Sequence, residues 1–237
     1  MTMTADVDVV TSLPIGRAVS GGPAARPARV TLEGRDVRLE ALDPARHGPA
    51  LFEACGGLHN ARLWVYLFDG PYEEYGTFHA DLIAKAQSED PLFFAIVDRS
   101  SGRAVGYAAL MRIEPTQRVI EVGSIIYSSA LQRTRAATEA MYLLARHVFE
   151  DLGYRRYEWK CNALNAPSRR AAERLGFTFE GIFRQHMVIK GRNRDTAWFS
   201  MLDAEWPARK SAFERWLLPE NFDEHGTQRT PLAAVSE

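Results

Sequence analysis

Cysteine is almost missing from this chain: two residues in 237, Cys55 and Cys161, with no CxxC pair and no Cys/His ligand spacing. A disulfide framework and a structural zinc site are therefore excluded, no metal is expected, and a reducing cytoplasm fits. No apolar run is long enough to span a bilayer, so no membrane partner is expected. The opening residues MTMTADVDVV are acidic, whereas a secretory leader starts basic. Net charge is lacking too, with 29 Lys and Arg against 30 Asp and Glu. A dedicated nucleic-acid binder carries a basic excess, so no nucleic acid is expected as a partner. What is present is a hydrophobic fraction of 46% and a charged fraction of 25%, enough for one packed domain with extensions.

Periodicity divides the chain. Residues 1–28 are rich in Thr, Ala, Gly and Pro and show no repeat. They read as a flexible N-terminal extension, mobile or draped over the surface. Residues 219–237 read as a C-terminal tail of the same kind, leaving 29–218 as the folded domain. Within it, alternation predicts a strand hairpin over Val30–Leu42, and Asp43 caps a helix through His47 and Leu51. A second helix is expected over Tyr72–Ala86, opened by Pro71. Three antiparallel strands follow: Pro91–Asp98, Ala104–Ile113 and Val119–Tyr127, with turns at Ser100–Gly102 and Glu114–Gln117. The spacing of Ala137, Met141, Leu144 and Val148 predicts a helix from Thr134 to Leu152, ended by Gly153. Tyr154–Cys161 is a strand, Asn165–Gly176 a capped helix, Phe177–Val188 and Asp195–Leu202 two strands, and Ala204–Trp216 a last helix. The class is α+β with one mixed sheet, whose strand–helix–strand crossover demands a parallel pair.

Two junctions in that order bear on chemistry. Tyr127 leads into SSALQRTRAATEA and Cys161 into NALNAPSRR, each a strand feeding a helix start. If the two strands are parallel neighbours, both helix N-termini face one sheet edge, where free amides and the dipole favour phosphate. Arg133 and Arg135 lie at the first junction, and Arg169 and Arg170 at the second. Singly, these are solvated charges. Clustered at matched junctions, they point to a phosphate-bearing cofactor. Asn165 and Ser168 stay open between two readings, a helix cap and a ligand contact.

The strand E-V-G, the run Q-R-T-R-A-A-T-E-A, then L-G-Y-R-R-Y-E-W, N-A-P-S-R-R-A-A-E-R-L-G-F and F-E-G resemble the GNAT superfamily of acetyl-CoA-dependent N-acetyltransferases, in its RimJ/RimL-like branch. The resemblance runs from Val30 to Trp206. It implies a mostly antiparallel mixed sheet flanked by helices, with a splayed central parallel pair, Val119–Tyr127 and Tyr154–Cys161. It implies acetyl-CoA as co-substrate and an amine acceptor, a peptide N-terminus or a small molecule. The pantetheine arm would run along Ile125, Ile126 and Tyr127. The pyrophosphate would sit on Gln132, Arg133, Thr134, Arg135, Ala136, Ala137 and Thr138. Asn165 matches the cofactor-contacting asparagine, and Ser168 the hydroxyl near the thioester sulfur. One departure stands out: arginines occupy positions 133 and 135, where the family commonly has glycine.

Acetyl transfer to an amine needs a base, a polarised carbonyl and a proton for the leaving thiolate. Glu158 is the first choice of base and Glu121 the second; the alternative for Glu158 is a cross-strand ion pair. Ser168 is the proton donor to sulfur. Tyr127 is a further thiol acid or a packing residue. His186 and His147 look isolated. Aromatics such as Trp64, Phe68, Tyr72, Phe183, Trp198 and Phe199 are available to wall an acceptor pocket, and KGRNRDT, Lys190–Thr196, reads as a basic hairpin turn. The alternative function is a catalytically weak acyl-CoA-binding module, motivated by Arg133 and Arg135. The oligomeric state stays open between monomer and homodimer.

Overall fold

A computed structural model of the chain describes residues 5–232. A short exposed hairpin, β1 (Ala5–Val7) and β2 (Pro14–Gly16), comes first and stands apart from the main sheet. The main sheet begins with β3 (Leu32–Glu33) and β4 (Val37–Ala41). Helix α1 (Pro44–Cys55) follows, started as its sequence requires: the Asp43 carboxylate accepts from the amides of Ala45 and Arg46, and Pro44 occupies the first turn. Next come α2 (Ala61–Trp64) and α3 (Tyr75–Gln87). The antiparallel run is β5 (Leu92–Asp98), β6 (Ala104–Glu114) and β7 (Val119–Tyr127). Then α4 (Arg135–Arg146), β8 (Arg156–Asn162), α5 (Ala166–Arg174), β9 (Thr178–Ile189), β10 (Arg192–Leu202) and α6 (Trp206–Leu217) complete the domain.

The eight strands lie in the order β3-β4-β5-β6-β7-β8-β10-β9, and every pairing is antiparallel except β7 with β8. Each face of the sheet is covered. One core packs α4 and α6 against residues such as Ile120, Val122, Tyr157, Trp159 and Phe199. The other packs α1, α2 and α3 against Phe93, Ala95, Tyr107, Ala109 and Ile126. The α+β class and the splayed parallel pair expected from sequence are both present.

Several boundaries differ from expectation, each for a local reason. The helix at 72–86 begins only at Tyr75, and the turn-rich stretch before it holds α2, whose four residues are too few to register as a repeat. The helix opened at Thr134 ends in one π-helical turn, His147–Asp151, before Gly153 takes φ 75°. The last hairpin turns tightly on Lys190 and Gly191, both left-handed with φ of 50° and 72°, so β10 starts at Arg192 rather than Asp195. Lys190 is not merely solvated: its ammonium donates to the carbonyls of Trp64 and Asp69. The tail folds back, with Leu232 buried, Trp216 donating to Gln228, and Asn221 to the carbonyl of Thr230. Near the N-terminus, Ala24 and Ala25 donate to the carbonyls of Pro115 and Leu152. Residues 1–4 and 233–237 of the two expected extensions lie outside the described residues.

One buried carboxylate fastens the sheet edge to the central helix. Glu139, inside α4, accepts from the amides of Arg35 at 2.8 Å, Asp36 at 2.7 Å and Val37 at 2.9 Å. Three N–H donors replace the water the carboxylate has lost. Gly34 leaves the room: a Cβ there would stand 2.7 Å from that carboxylate. Glu139→Gln turns an acceptor into a donor facing amides, so it is expected to cost about 1–3 kcal/mol. Urea unfolding with an unchanged m-value checks this.

Candidate active site

The parallel ladder between β7 and β8 is short. Val119 pairs with Arg156, Ile120 with Tyr157, Glu121 with Glu158, and Val122 with Trp159. Beyond that point β7 continues to Tyr127 and β8 to Asn162 with no pairing between them. Each strand remains held on its other side, β7 by β6 up to Tyr127 and β8 by β10 up to Asn162. The result is a gap inside the sheet, edged by unpaired main-chain groups that need partners. A bulge widens it: where β6 advances from Tyr107 to Ala109, β7 spans Ile126 to Gly123. Ser124 sits in that bulge with φ 48°, a conformation costing a non-glycine residue about 1–3 kcal/mol. Ile125, Ile126 and Tyr127 form the upper edge of the gap. The Tyr127 hydroxyl is not free for chemistry, since it donates to the Ala137 carbonyl at 3.2 Å, and burial raises its pKa.

At the first junction the chain turns tightly into α4. Gln132 donates through its side chain to the Tyr127 carbonyl at 2.9 Å, and Arg133 takes φ 62°. That left-handed value is the conformation glycine adopts freely, so the turn survives the arginine at some cost. Thr134 caps the helix, its hydroxyl accepting from the Ala137 amide at 3.1 Å. The amides of Arg133, Arg135 and Ala136 find no acceptor among the described residues, which is the condition for holding an anion at a helix start. The expectation for the Arg135 side chain is corrected. Its guanidinium grips Asp36 at 2.6 and 2.7 Å and stacks over Phe222, so only its amide is left for a phosphate. The Thr138 hydroxyl is likewise buried, accepting from Arg174 at 3.0 Å.

At the second junction Asn165 is the N-cap of α5, accepting from the Ser168 amide at 3.2 Å. The Ser168 hydroxyl accepts from the Trp159 indole at 3.0 Å and lies in hydrogen-bond reach of the Cys161 sulfur. Trp159 is the last residue of the parallel ladder, so Ser168 is anchored to the point where the gap opens. Arg169 stacks over Phe179, and burial raises the Cys161 thiol, in keeping with an inert core position.

Below the gap lies a buried ionic cluster. Glu121 and Glu158 are register partners on adjacent parallel strands, and Lys160 bridges them at 2.9 and 2.6 Å. Arg112 adds a contact to Glu121 at 2.9 Å, and Arg156 donates to Glu158 at 2.7 Å and onward to Glu180. Burial raises the pKa of Glu121, opposed chiefly by Lys160. Its Oε2, though close to both cations, has no aligned hydrogen bond. His186 is not isolated: its ring pairs with the Thr196 hydroxyl at 3.0 Å, and burial and nearby cations lower its pKa. His147 pairs with Asp151 on the far side of the fold.

A cavity of about 290 Å³ adjoins the gap, lined by Phe68, Asp69, Lys85, Tyr107, Met111 and Ser124 among others. Met111 is the register partner of Glu121, so the cavity and the carboxylate cluster share a strand pair. Of the expected aromatic walls, Phe68 lines this cavity. Trp64 and Tyr72 are packed together in the core, and Phe199 faces the opposite core. Not legible in the sequence are Tyr107, whose buried hydroxyl has no partner among the described residues, and Lys85, held by Asp69 and Asp81. Neither belongs to a recognisable spacing.

Comparison with known proteins bears on the family and the fold. Residues 37–178 match the family described as "Acetyltransferase (GNAT) domain". A GCN5-related N-acetyltransferase from Brucella melitensis is 52% identical, with 91% of this chain and 98% of that one covered and a TM-score of 0.89. A curated Bacillus subtilis protein named "Putative ribosomal N-acetyltransferase YdaF" is 28% identical over 109 residues, 46% of this chain. The chain spans 59% of that relative's length. A RimL ribosomal L7/L12 alpha-N-protein acetyltransferase, solved with coenzyme A, shares the fold at a TM-score of 0.62 and 21% identity, with 73% of this chain and 98% of that one covered.

The lysine bridge generates a prediction. Lys160→Met leaves two buried carboxylates opposed, and breaking such a pair costs about 3–5 kcal/mol at neutral pH. The loss should shrink in acid, because a carboxylate whose folded pKa is raised destabilises only when ionised. Urea unfolding across a pH series tests both the size and the trend.

Proposed function

The chain belongs to the GNAT acetyltransferase family, and on that footing we propose that it is an N-acetyltransferase moving the acetyl group of acetyl-CoA to a primary amine. The acceptor is a peptide N-terminus or a small-molecule amine, reached by direct attack on the thioester. The carrying observation is the gap that opens beyond Val122 and Trp159, flanked by two helix starts. An extended thioester arm fits such a slot, with main-chain groups of Ile125 to Tyr127 on one side. The free amides of Arg133, Arg135 and Ala136 suit its pyrophosphate. The Bacillus subtilis relative, by its name a ribosomal N-acetyltransferase, favours the peptide N-terminus.

In this reading the amine attacks the carbonyl carbon, a C–N bond forms, and the C–S bond breaks. Glu121 takes the proton lost by the amine. It suits this because burial raises its basicity and its strand partner Met111 borders the cavity, whereas Glu158 is gripped by two cations. Glu158, gripped by Arg156 and Lys160, holds Lys160 against Glu121. Ser168 gives a proton to the departing thiolate as it takes one from water, and Glu121 returns the proton it gained to solvent, so both side chains end as they began. Asn165 holds the helix start that presents it. The weak acyl-CoA-binding module remains the second reading, and the left-handed Arg133 argues against it by preserving the turn.

Calorimetry with acetyl-CoA and a thiol-release assay over an amine panel test this. Binding with thiol release and an N-acetylated product is expected; binding without release would support the module instead. Glu121→Gln should lower kcat about 100-fold or more with little change in acetyl-CoA affinity, and Glu158→Gln should lower it less. The acid limb of the kcat/KM profile should fall above the ordinary glutamate range and vanish in Glu121→Gln. Asn165→Ala should weaken acetyl-CoA binding.

A further inference from the structure

Arg194 is an anomaly. It sits on β10, is 6% exposed, and its Nε is fully buried with no partner. Among the described residues its side chain makes no hydrogen bond and no ion pair; the guanidinium stacks 5.0 Å over the Phe68 ring and meets the Glu121 charge only through space, without contact. A guanidinium stays charged at any accessible pH, and a buried charge is normally paired. The neighbourhood does not neutralise it. Arg112, Arg156, Lys160 and Arg194 face three carboxylates, Glu121, Glu158 and Glu180, and the other three cations are already matched to those anions. The adjacent group of Asp69 and Asp81 holds Lys85, with Lys190 on the Asp69 carbonyl, so it supplies no spare carboxylate.

The position narrows what the missing partner is. Thr196, two residues along β10, is the register partner of Asn162, where β8 ends beside the gap. Phe68, the ring on which the guanidinium lies, also lines the cavity that meets β7 at Ser124. The uncompensated cation therefore lies between the end of β8 and the cavity wall. Its planar fork matches two oxygens at once.

We propose that Arg194 binds a carboxylate carried by the substrate, which makes the preferred substrate an acid as well as an amine or acyl donor. The inference rests on the acetyl-transfer reading of the gap. Two sources share this chemistry: a carboxylate on the acceptor, such as an acidic residue at a peptide N-terminus or the acid group of a free amino acid, and a carboxylate at the end of the donor's acyl chain. With acetyl-CoA as donor, peptides starting in Glu or Asp and free amino acids should outperform the Gln, Asn and amide counterparts. Arg194→Met should raise KM about 10- to 100-fold for the acidic acceptors. It should leave kcat, the amide counterparts and acetyl-CoA affinity nearly unchanged. Arg194→Lys, which keeps charge but not the fork, should fall between. If the acyl chain is the source, the discrimination will instead appear between succinyl-CoA and acetyl-CoA on a neutral amine, and Arg194→Met will erase it.

Removing an unpaired buried charge should not lower the melting temperature, so a fold loss in Arg194→Met would itself contradict the assignment. Equal losses on acidic and amide acceptors, with no donor preference, would also overturn it, as would no change at all. Calorimetric titration of the CoA-loaded protein with Glu- and Gln-initiated peptides reads the same preference without turnover. Absence of transfer to every amine would then count against the enzyme, and absence of carboxylate preference against Arg194 alone.

Discussion

Lys160 between Glu121 and Glu158 is the contact on which the site depends. Two carboxylates at the same level of adjacent parallel strands would push those strands apart, and here one ammonium ties them together at the last rungs of the ladder. One rung later the ladder stops. The strands are thus clamped below and open above, and the bulge at Ser124 turns β7 away over the same few residues. A gap in the middle of a sheet is expensive in unpaired main-chain groups. It persists because β6 and β10 hold the outer edges.

The two helix starts at the top of the gap are built differently. Thr134 caps α4 through its hydroxyl and leaves three amides of the turn without acceptors, a local condition set by a few residues. Asn165 caps α5 and fixes Ser168, which Trp159 ties to the end of the parallel ladder. Long-range contacts hold the first in place: Arg135 on Asp36 and Glu139 on three amides of the β3–β4 turn join α4 to the sheet edge. Arg135, a charge that looks like a phosphate ligand in one dimension, is spent on architecture in three.

Much was legible in the residues. Asp43 and Asn165 announced their helices, because capping is chemistry within three or four positions. β7 was read to its exact ends, since alternation bounded by a turn and a new period leaves little freedom. The α2 segment was not legible, because four residues carry no period. Nor were Tyr107, Lys85 and Arg194, whose surroundings are assembled from segments far apart in the chain.

The sequence by itself determined the order of helices and strands, the two strand-to-helix junctions, and the family to which they belong, since all three are written in local periodicity, caps and short motifs. The tertiary structure alone decided which charges are paired. Arginine carries the same charge wherever it stands in a sequence. Whether it grips an aspartate, as Arg135 does, or is buried with no ion pair among the described residues, as Arg194 is, depends on which distant elements the sheet brings against it. Pairing is a property of distance and solvent exclusion, and neither exists until the chain has folded.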